Sequence, residues 1–600
     1  MAAALAIFAL GAGPVAAWEV YQGEKLRATL DSTFSTGIAL RVAERDNDLI
    51  YKGNDPTDPT AGNTASFFTN ADDGNLNYDK GDLYSGNVKG TFELELDYRA
   101  GWQHLSSVGG FVRASGFYDA IANDPYRTQR TDLAKSARYR SSVTDGGVVG
   151  AQWIFLDMYA DARFDVLNRN PILRVGNQVL NWGEAIFTPG GISSTNAFDV
   201  AKLRIPGSEL REALVPAPII RVSGDIVEEL GLEAYYQVYW NRTHVDPTGS
   251  YWATSDLVGR AAEGLFFGND PGGTGVPADE LIQRGRGIPR IADDKPSNQG
   301  QFGIATRYYW DRILTEFGAY YIRYHSKTPT VGNQPALPLL PSAYFREYAD
   351  KIDVVGASFA TGILNATLAG EIVYRWDDQT PIVATGNAFA AASRASQEGT
   401  PLPARIRGYV REQRLQAAIN LIQTFGPSTR LGVGPVVKFL GADSFSLVSE
   451  MALVNYPSLA PQCSSPFQPF FDVAAGTRTD CVPYAGVGPP DNDVTVAGFP
   501  VKSDVNATSL GYQLLLRGEY TKPFSIPITV NPTVGWRHDF RGTAPNQTFI
   551  ENRKSASLGL AVDYLQTWEA SITYANFFGG GTKNLVHDRD FVSISLAYRY

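Results

Sequence analysis

The sequence has few charged residues and no cluster of basic ones. Charged side chains make up 19% of its 600 residues, below the roughly 25% of ordinary soluble domains. These charges are too few to cover the surfaces of several separate soluble domains. The net charge of -10 and the absence of any Lys/Arg-rich run leave nothing suited to a phosphate backbone. Nucleic acid is therefore excluded as a partner.

Long apolar segments are also missing beyond the N-terminus. Residues 1–17 are apolar and end in Val15, Ala16 and Ala17, the pattern of a signal peptide, which predicts export and a mature chain that begins at Trp18. No later segment reaches the roughly 20 apolar residues of a membrane-spanning helix. An exported soluble protein and an outer-membrane β-barrel remain as possibilities.

Groupings of residues typical of catalysis are absent from the sequence. The five histidines are scattered and form no HExxH pair or Cys/His cluster, and no Ser/His or Asp/His grouping or glycine-rich phosphate loop stands out. We therefore expect no enzyme activity and no cofactor. Residues 46–48 and 491–493 (both Asp-Asn-Asp) could offer oxygen atoms to calcium, but solvated turns are the favoured interpretation, and no metal is expected.

The C-terminal segment alternates strictly between apolar and polar residues. Val592, Ile594 and Leu596 lie on one face, small or polar residues lie on the other, and the chain ends on the aromatic Tyr600. Bacterial outer-membrane barrels typically end in such a strand. Similar alternation recurs upstream, with aromatic residues at the ends of the apolar faces, as in the interfacial girdles of a transmembrane barrel.

This periodicity predicts an all-β fold, in which residues 18–600 form one closed antiparallel transmembrane β-barrel of about 18 strands. An even number of strands places both termini in the periplasm, with short turns on that side and long loops outside. A short helix is one interpretation of the periplasmic connection 425–443. The predicted strands lie near 27–42, 88–99, 108–118, 152–162, 172–180, 217–224, 231–240, 299–309, 313–325, 351–360, 365–375, 409–423, 444–456, 507–521, 527–538, 555–564, 568–577 and 590–600.

Both cysteines fall in one predicted external loop, 457–506. In an exported chain, Cys463 and Cys481 most simply form a disulfide, which would stabilise the loop by about 3 kcal/mol in the chain-entropy model.

Charges of both signs are predicted to face the lumen, because they lie opposite the apolar faces of the strands. Such residues would favour charged or amphipathic solutes; the alternative is that they brace the wall or hold a plug. The set comprises Glu93, Glu95, Asp97, Arg99, Arg113, Arg174, Arg221, Glu371, Arg375, Arg414, Arg517, Glu519, Arg537 and Arg599.

One long connection lacks strand periodicity but is rich in aromatic and charged residues. We expect residues 181–216 to fold into the lumen as a constriction, rather than to form an external flap. In this interpretation Glu184 and Asp199 bond to Arg113, Arg174 and Arg221 on the wall. The predicted pore residues are Arg113, Arg174, Trp182, Glu184, Asp199, Arg204, Arg211, Arg221, Arg517 and Arg537.

The same region carries a family resemblance. It contains RVGNQVLNWGE at 174–184, then Asn196 and Asp199, and PGSELREA at 206–213, and it is preceded by DGNLNYDKGD at 73–82. Over essentially the whole mature chain the sequence resembles the porin-like outer-membrane β-barrel family of proteobacteria catalogued as domain of unknown function 1302. The resemblance implies passage of hydrophobic or amphipathic compounds across the envelope. It also implies two partners, a periplasmic protein with a lipid-carrier-like fold and an inner-membrane exporter, and it carries no catalytic residues.

The expected function is a passive outer-membrane channel for amphipathic or hydrophobic small molecules or lipids. The first alternative is a diffusion porin for small organic acids or sugars, and the second is a structural or adhesive barrel that binds partners through its loops. Outer-membrane lipids and the barrel assembly machinery are expected partners in each case.

Overall fold

The computed structural model covers most of the predicted barrel. The described residues are 18–50, 70–102, 104–122, 150–166, 169–260, 262, 264–266, 278–335, 341–382, 399, 401–429, 433–462, 471–472, 477–478, 482, 484 and 505–600. The predicted signal peptide, the two cysteines and residues 491–493 lie outside them.

The wall is one closed antiparallel sheet of eighteen strands. The first strand pairs with both the second and the last, which closes the ring. A short strand, Trp18–Gln22, pairs with the start of the first strand. The barrel strands are β1 (Leu26–Arg41), β2 (Leu83–Trp102), β3 (Leu105–Asp119), β4 (Ala151–Phe164), β5 (Ile172–Gln178), β6 (Ala217–Val227), β7 (Leu230–Gln237), β8 (Gln301–Trp310), β9 (Thr315–Tyr324), β10 (Ile352–Ile363), β11 (Ala366–Pro381), β12 (Tyr409–Phe425), β13 (Ser444–Asn455), β14 (Thr508–Thr521), β15 (Ile528–Arg541), β16 (Lys554–Tyr564), β17 (Trp568–Phe578) and β18 (Phe591–Arg599).

The predicted strand pattern is confirmed, since each predicted strand overlaps one observed strand. Short and long connections alternate around the ring, and the connection between β12 and β13 contains a short helix, Gly434–Phe439. Other short helices lie in the long loops, among them Asp73–Leu76, Leu210–Ala213 and Ala278–Gln283. No helix among the described residues is long and apolar enough to cross a membrane.

The barrel is apolar outside and polar inside. On β16, Leu558 and Leu560 point outward and are 57% and 42% exposed, whereas Ser557 on the opposite face is buried. The same holds on β11, where Ile372 is exposed and Glu371 is buried. Because successive side chains of a strand point to opposite faces, this distribution follows directly from the alternation in the sequence.

At the end of the barrel that carries the long loops, the strands of the wall end earlier along one part of the rim. Strand β5 has 7 residues and β7 has 8, against 14 in the neighbouring β4. The uppermost β4–β5 pair is Met158 with Asn177, so residues 151–157 of β4 have no strand partner on that side among the described residues. Trp153 and Phe155, on the outer face of this β4 segment, are 61% and 60% exposed. We call β5, β6 and β7 the low wall.

Candidate functional site

The connection between β5 and β6, residues 179–216, contacts inward-facing residues on several strands; we call it the inner loop. Its first half binds Glu371 of β11, whose carboxylate accepts hydrogen bonds from the backbone N–H groups of Glu184 (2.7 Å), Ala185 (3.2 Å) and Ile192 (3.1 Å). Three N–H groups that have no strand or helix partner are thereby satisfied by one anion. The loop backbone is tied to the wall at this point.

A second wall carboxylate repeats the arrangement. Glu450 of β13 accepts hydrogen bonds from the backbone N–H groups of Ile186 (2.5 Å), Phe187 (3.2 Å) and Thr188 (2.7 Å). Phe187 also packs into an apolar cluster with two inward-facing residues, Val448 and Leu515. This half of the loop is therefore held by both charge and apolar contact.

Two glycines allow the loop to approach Glu371 so closely. Gly183 has a φ of 90°, and a Cβ on Gly191 would lie only 1.9 Å from a Glu371 carboxylate oxygen. No other residue fits at Gly191 without moving the carboxylate. Arg375 of β11 then donates to the Gly191 carbonyl (2.8 Å), and Asn420 of β12 donates to the Glu184 carbonyl (2.7 Å).

Trp182 anchors the beginning of the loop. Its indole N–H donates to the Glu233 carboxylate of β7, and its ring packs against Tyr235 and Tyr320. Because the side chain is only 2% exposed, it does not line an open path. The expectation that Trp182 contacts passing solute is corrected accordingly, since the aromatic side chain is used to fix the loop to the wall.

The second half of the inner loop reaches the opposite side of the ring. Lys89 of β2 donates to the Gly207 carbonyl (2.8 Å) and to the Glu212 carboxylate (2.5 Å). Arg211 pairs with Glu93 of β2 at 2.6 Å. Because its two halves bind β11–β13 and β2, the inner loop crosses the inside of the barrel between them.

The middle of the inner loop packs against the long connection between β7 and β8. Asp199 pairs with Arg260 at 3.6 Å, and Arg204 pairs with Asp246 at 2.9 Å. Burial, and then the positive charge of Arg260, lower the pKa of His244 to about 4, so this ring is neutral at ordinary pH. The contacts join two loops into one layer inside the long-loop end of the barrel.

The expected pairing of Glu184 and Asp199 with the wall arginines is wrong. Arg113 instead binds Glu93 (2.9 Å) and Asp157 (2.5 Å). Each of the wall arginines has a closer carboxylate on its own strand or on a neighbouring strand, so the charged residues of the wall pair with one another. In the same way Arg174 lies 3.6 Å from Asp161, Arg221 lies 2.7 Å from Glu233, and Arg537 lies 3.0 Å from Asp539.

The remaining predicted residues have different environments. Arg517 lies on the inward face of β14 and is half-buried, and Glu184 of the loop is close enough to Glu316, Glu371 and Arg307 to feel their charges. Burial, followed by those two negative charges, raises the pKa of Glu184. A role in narrowing the pore remains a prediction for all ten residues, and contact with passing solute remains a prediction for all of them except Trp182.

Inward-facing charges near the short-turn end are accessible to water. Glu95, Asp97 and Arg99 share the inward face of β2 with Glu93, and all three are exposed, as is Glu519 of β14. Their exposure requires open, water-accessible space on the short-turn side of the inner loop.

Some acidic residues lie close enough together to share a cation. Asp72, Asp73 and Asp256 each place one carboxylate oxygen within 4.8 Å of the others, and we assign no metal to this group. Asp46, part of the first Asp-Asn-Asp turn, instead accepts hydrogen bonds from the Asp48 backbone N–H (2.9 Å) and the His587 ring (2.6 Å). This carboxylate serves as a local cap and as a contact between two loops.

The sequence did not reveal the roles of Glu450 and Lys89 on the wall or of Glu212 in the loop, which form further hydrogen bonds between loop and wall. A detectable signal existed for Glu450 alone, because it is the single charged residue in the alternating strand β13.

These features define a closed β-barrel with a loop bound across its interior. The chain belongs to the family described as protein of unknown function DUF1302, whose sequence profile matches residues 1–600. The resemblance found in the sequence is thus confirmed. No curated protein shows significant similarity to the chain.

Several crystallised outer-membrane proteins are similar to the chain at low identity. OpdK of Pseudomonas aeruginosa, determined with vanillate, has 10% identity and a TM-score of 0.40 over 96% of this chain and 98% of its own. OccAB1 of Acinetobacter baumannii has 10% identity and a TM-score of 0.39 over 96% of each chain. A BenF-like porin from Pseudomonas fluorescens Pf-5 has 9% identity and a TM-score of 0.40 over 96% and 98%.

Proposed function

We propose that the protein is a passive channel of the outer membrane for small amphipathic or hydrophobic molecules, including lipids. The observation that carries the proposal is the inner loop, whose contacts with β2 and with β11–β13 narrow a polar interior inside an apolar-coated barrel. A closed barrel with exposed apolar side chains outside and charges inside suits a membrane pore. The short turns and both termini would lie in the periplasm.

The low wall favours amphipathic solutes over purely hydrophilic ones. Strand β4 rises seven residues above its last pair with β5, and its outer face carries the exposed Trp153 and Phe155. At the long-loop end, an apolar molecule would meet a lower strand wall and aromatic side chains next to the lipid. This arrangement supports movement of the apolar part of a solute between the lumen and the outer leaflet.

A diffusion porin for small organic acids or sugars is the second candidate. It is favoured by the exposed charges Glu95, Asp97 and Arg99 on the short-turn side, because hydrated charges suit water-soluble solutes. Our first proposal also includes transfer of the solute between the channel, a periplasmic carrier and an inner-membrane exporter, which requires a separate test.

Reconstitution can separate the two candidates. Purified, heat-modifiable protein in liposomes should pass a dansylated medium-chain fatty acid faster than glucose or acetate if the first proposal holds. Passage of glucose and acetate without the fatty acid would favour the second candidate. Absence of both flux and single-channel conductance would contradict any channel.

A pair of variants tests the low wall within the same assay. Phe155→Lys places a charge on the outer face beside the low wall and should slow passage of the fatty acid. Leu558→Lys, at a similarly exposed outer position on β16, is the matched control and should slow it less. Equal effects of the two variants would contradict a role for the low wall.

A further inference from the structure

A small cavity of about 80 Å³ lies between the inner loop and the loop that follows β7. Residues 201–205 of the inner loop form one side, and residues 246–252 form another. Inward-facing Phe117 of β3 and the buried Tyr84 and Trp252 give it aromatic walls. The cavity therefore combines apolar surface with the charged residues of both loops.

Most charges that line the cavity are already paired. Arg204 pairs with Asp246 (2.9 Å), and Arg260 lies 3.6 Å from Asp199. The Asp119 carboxylate accepts hydrogen bonds from Ser85 Oγ and from the backbone N–H groups at 86, 121 and 122. The Asp and Arg side chains of the lining thus form ion pairs or, at Asp119, hydrogen bonds with neutral donors.

Lys202 differs from the other charged residues of this lining. Its side chain is only 8% exposed, and no side chain among the described residues forms a hydrogen bond or ion pair with its ammonium group. Burial lowers its pKa, although the nearby Asp199 and Glu212 oppose the shift. The ammonium of Lys202 is largely shielded from water and has no ion-pair partner among the described residues, and an anion bound in the cavity would supply one.

We propose that this cavity binds the carboxylate of a small amphipathic molecule, with the charge paired to Lys202 and the apolar body against Phe117 and Trp252. The volume admits the carboxylate and part of an attached ring or chain, and the remainder would extend into the lumen. The inference deepens the proposed function, on which it rests, by assigning a solute-binding site within the channel and a solute class, amphipathic carboxylates.

Binding to the folded protein in detergent tests the site without requiring transport. Hydrocinnamate is the probe, hydrocinnamyl alcohol lacks the charge, and phenyl phosphate offers a different anion of similar size. Isothermal titration should show hydrocinnamate binding more tightly than the other two. Equal binding of the alcohol would overturn the ion pair, and tighter binding of phenyl phosphate would overturn the carboxylate assignment.

Two variants locate the site. Lys202→Met should weaken hydrocinnamate binding about tenfold or more, which corresponds to about 1.4 kcal/mol. The control Lys438→Met changes an exposed lysine on the short-turn side and should leave the affinity unchanged. Unchanged affinity in a folded Lys202→Met protein would overturn the proposal.

Phe117→Ala provides a second test if Lys202→Met does not fold. It should weaken hydrocinnamate binding and leave acetate binding unaffected, because only the apolar contact is lost. Equal hydrocinnamate affinity of this variant and the wild type would overturn the assigned location. A protein that binds hydrocinnamate but shows no conductance would contradict the proposed channel and support the binding site. A protein that conducts but does not bind hydrocinnamate would contradict the binding site and support the channel.

Discussion

Replacing Glu371 with alanine should release the first half of the inner loop from the wall. The variant removes the acceptor for the backbone N–H groups of Glu184, Ala185 and Ile192. Each lost hydrogen bond contributes about 1 kcal/mol net, so the loop loses about 3 kcal/mol of attachment. A free-energy change of about 1.4 kcal/mol changes an equilibrium constant tenfold, so the fraction of molecules in which this half of the loop is released should rise roughly 100-fold.

Single-channel recording in planar bilayers measures this release. Glu371→Ala should show larger or more variable conductance than the wild type, because the loop leaves the lumen more often. Glu95→Ala is the matched control, since Glu95 also faces inward but is exposed near the short turns. Identical conductance distributions for Glu371→Ala and the wild type, in a heat-modifiable barrel, would refute the role of this carboxylate.

The barrel seam, the cysteine loop and one loop contact give further predictions. Tyr600→Asp, or deletion of Tyr600, should reduce outer-membrane levels far more than Arg599→Ala. Deletion removes the backbone hydrogen bonds that Tyr600 exchanges with Ser32 across the seam, and both changes remove the terminal aromatic ring, which packs against Trp18. Equal levels would contradict this reasoning. Thiol labelling of the two cysteines in loop 457–506 on intact cells should require prior reduction, and labelling without reductant would exclude the disulfide. Burial lowers the pKa of His587, but its hydrogen bonds to Asp46 and to the Asn584 carbonyl, together with the negative charges of Asp588 and Asp46, outweigh burial, so the folded-state pKa is raised. The stabilisation of this contact between two loops is therefore complete below about pH 6.5 and is lost as the pH rises through the folded-state pKa of His587. Limited proteolysis between pH 6 and pH 9 should show this loss in the wild type. The same assay should show no such pH dependence in His587→Gln.

The strands could be predicted because their signal is local. Alternation along β16 or β18 is present in about ten consecutive residues, and the parity of the strands then fixes which side chains face inward. The unusual composition of residues 181–216 also singled out that segment. None of these inferences requires knowledge of which distant residues meet.

The attachment of the loop could not be predicted because it depends on distant partners. The N–H groups of Glu184 and Ile186 bind carboxylates at Glu371 and Glu450, which lie 187 and 264 residues further along the chain. Nearly every residue has a backbone N–H group, so the sequence does not show which of these donors will bind a carboxylate. Only the charged side chains could be identified from the sequence. The expected pairing with Arg113 failed for a related reason, since strand register had already supplied closer carboxylates.

Removal of the inner loop tests the central claim most directly. A variant in which residues 184–208 are replaced by a short Gly/Ser segment retains all eighteen strands and should still form a heat-modifiable barrel. Its single-channel conductance in planar bilayers should exceed that of the wild type, because the segment that crosses the lumen is gone. Unchanged conductance in the folded variant would contradict a constriction formed by this loop.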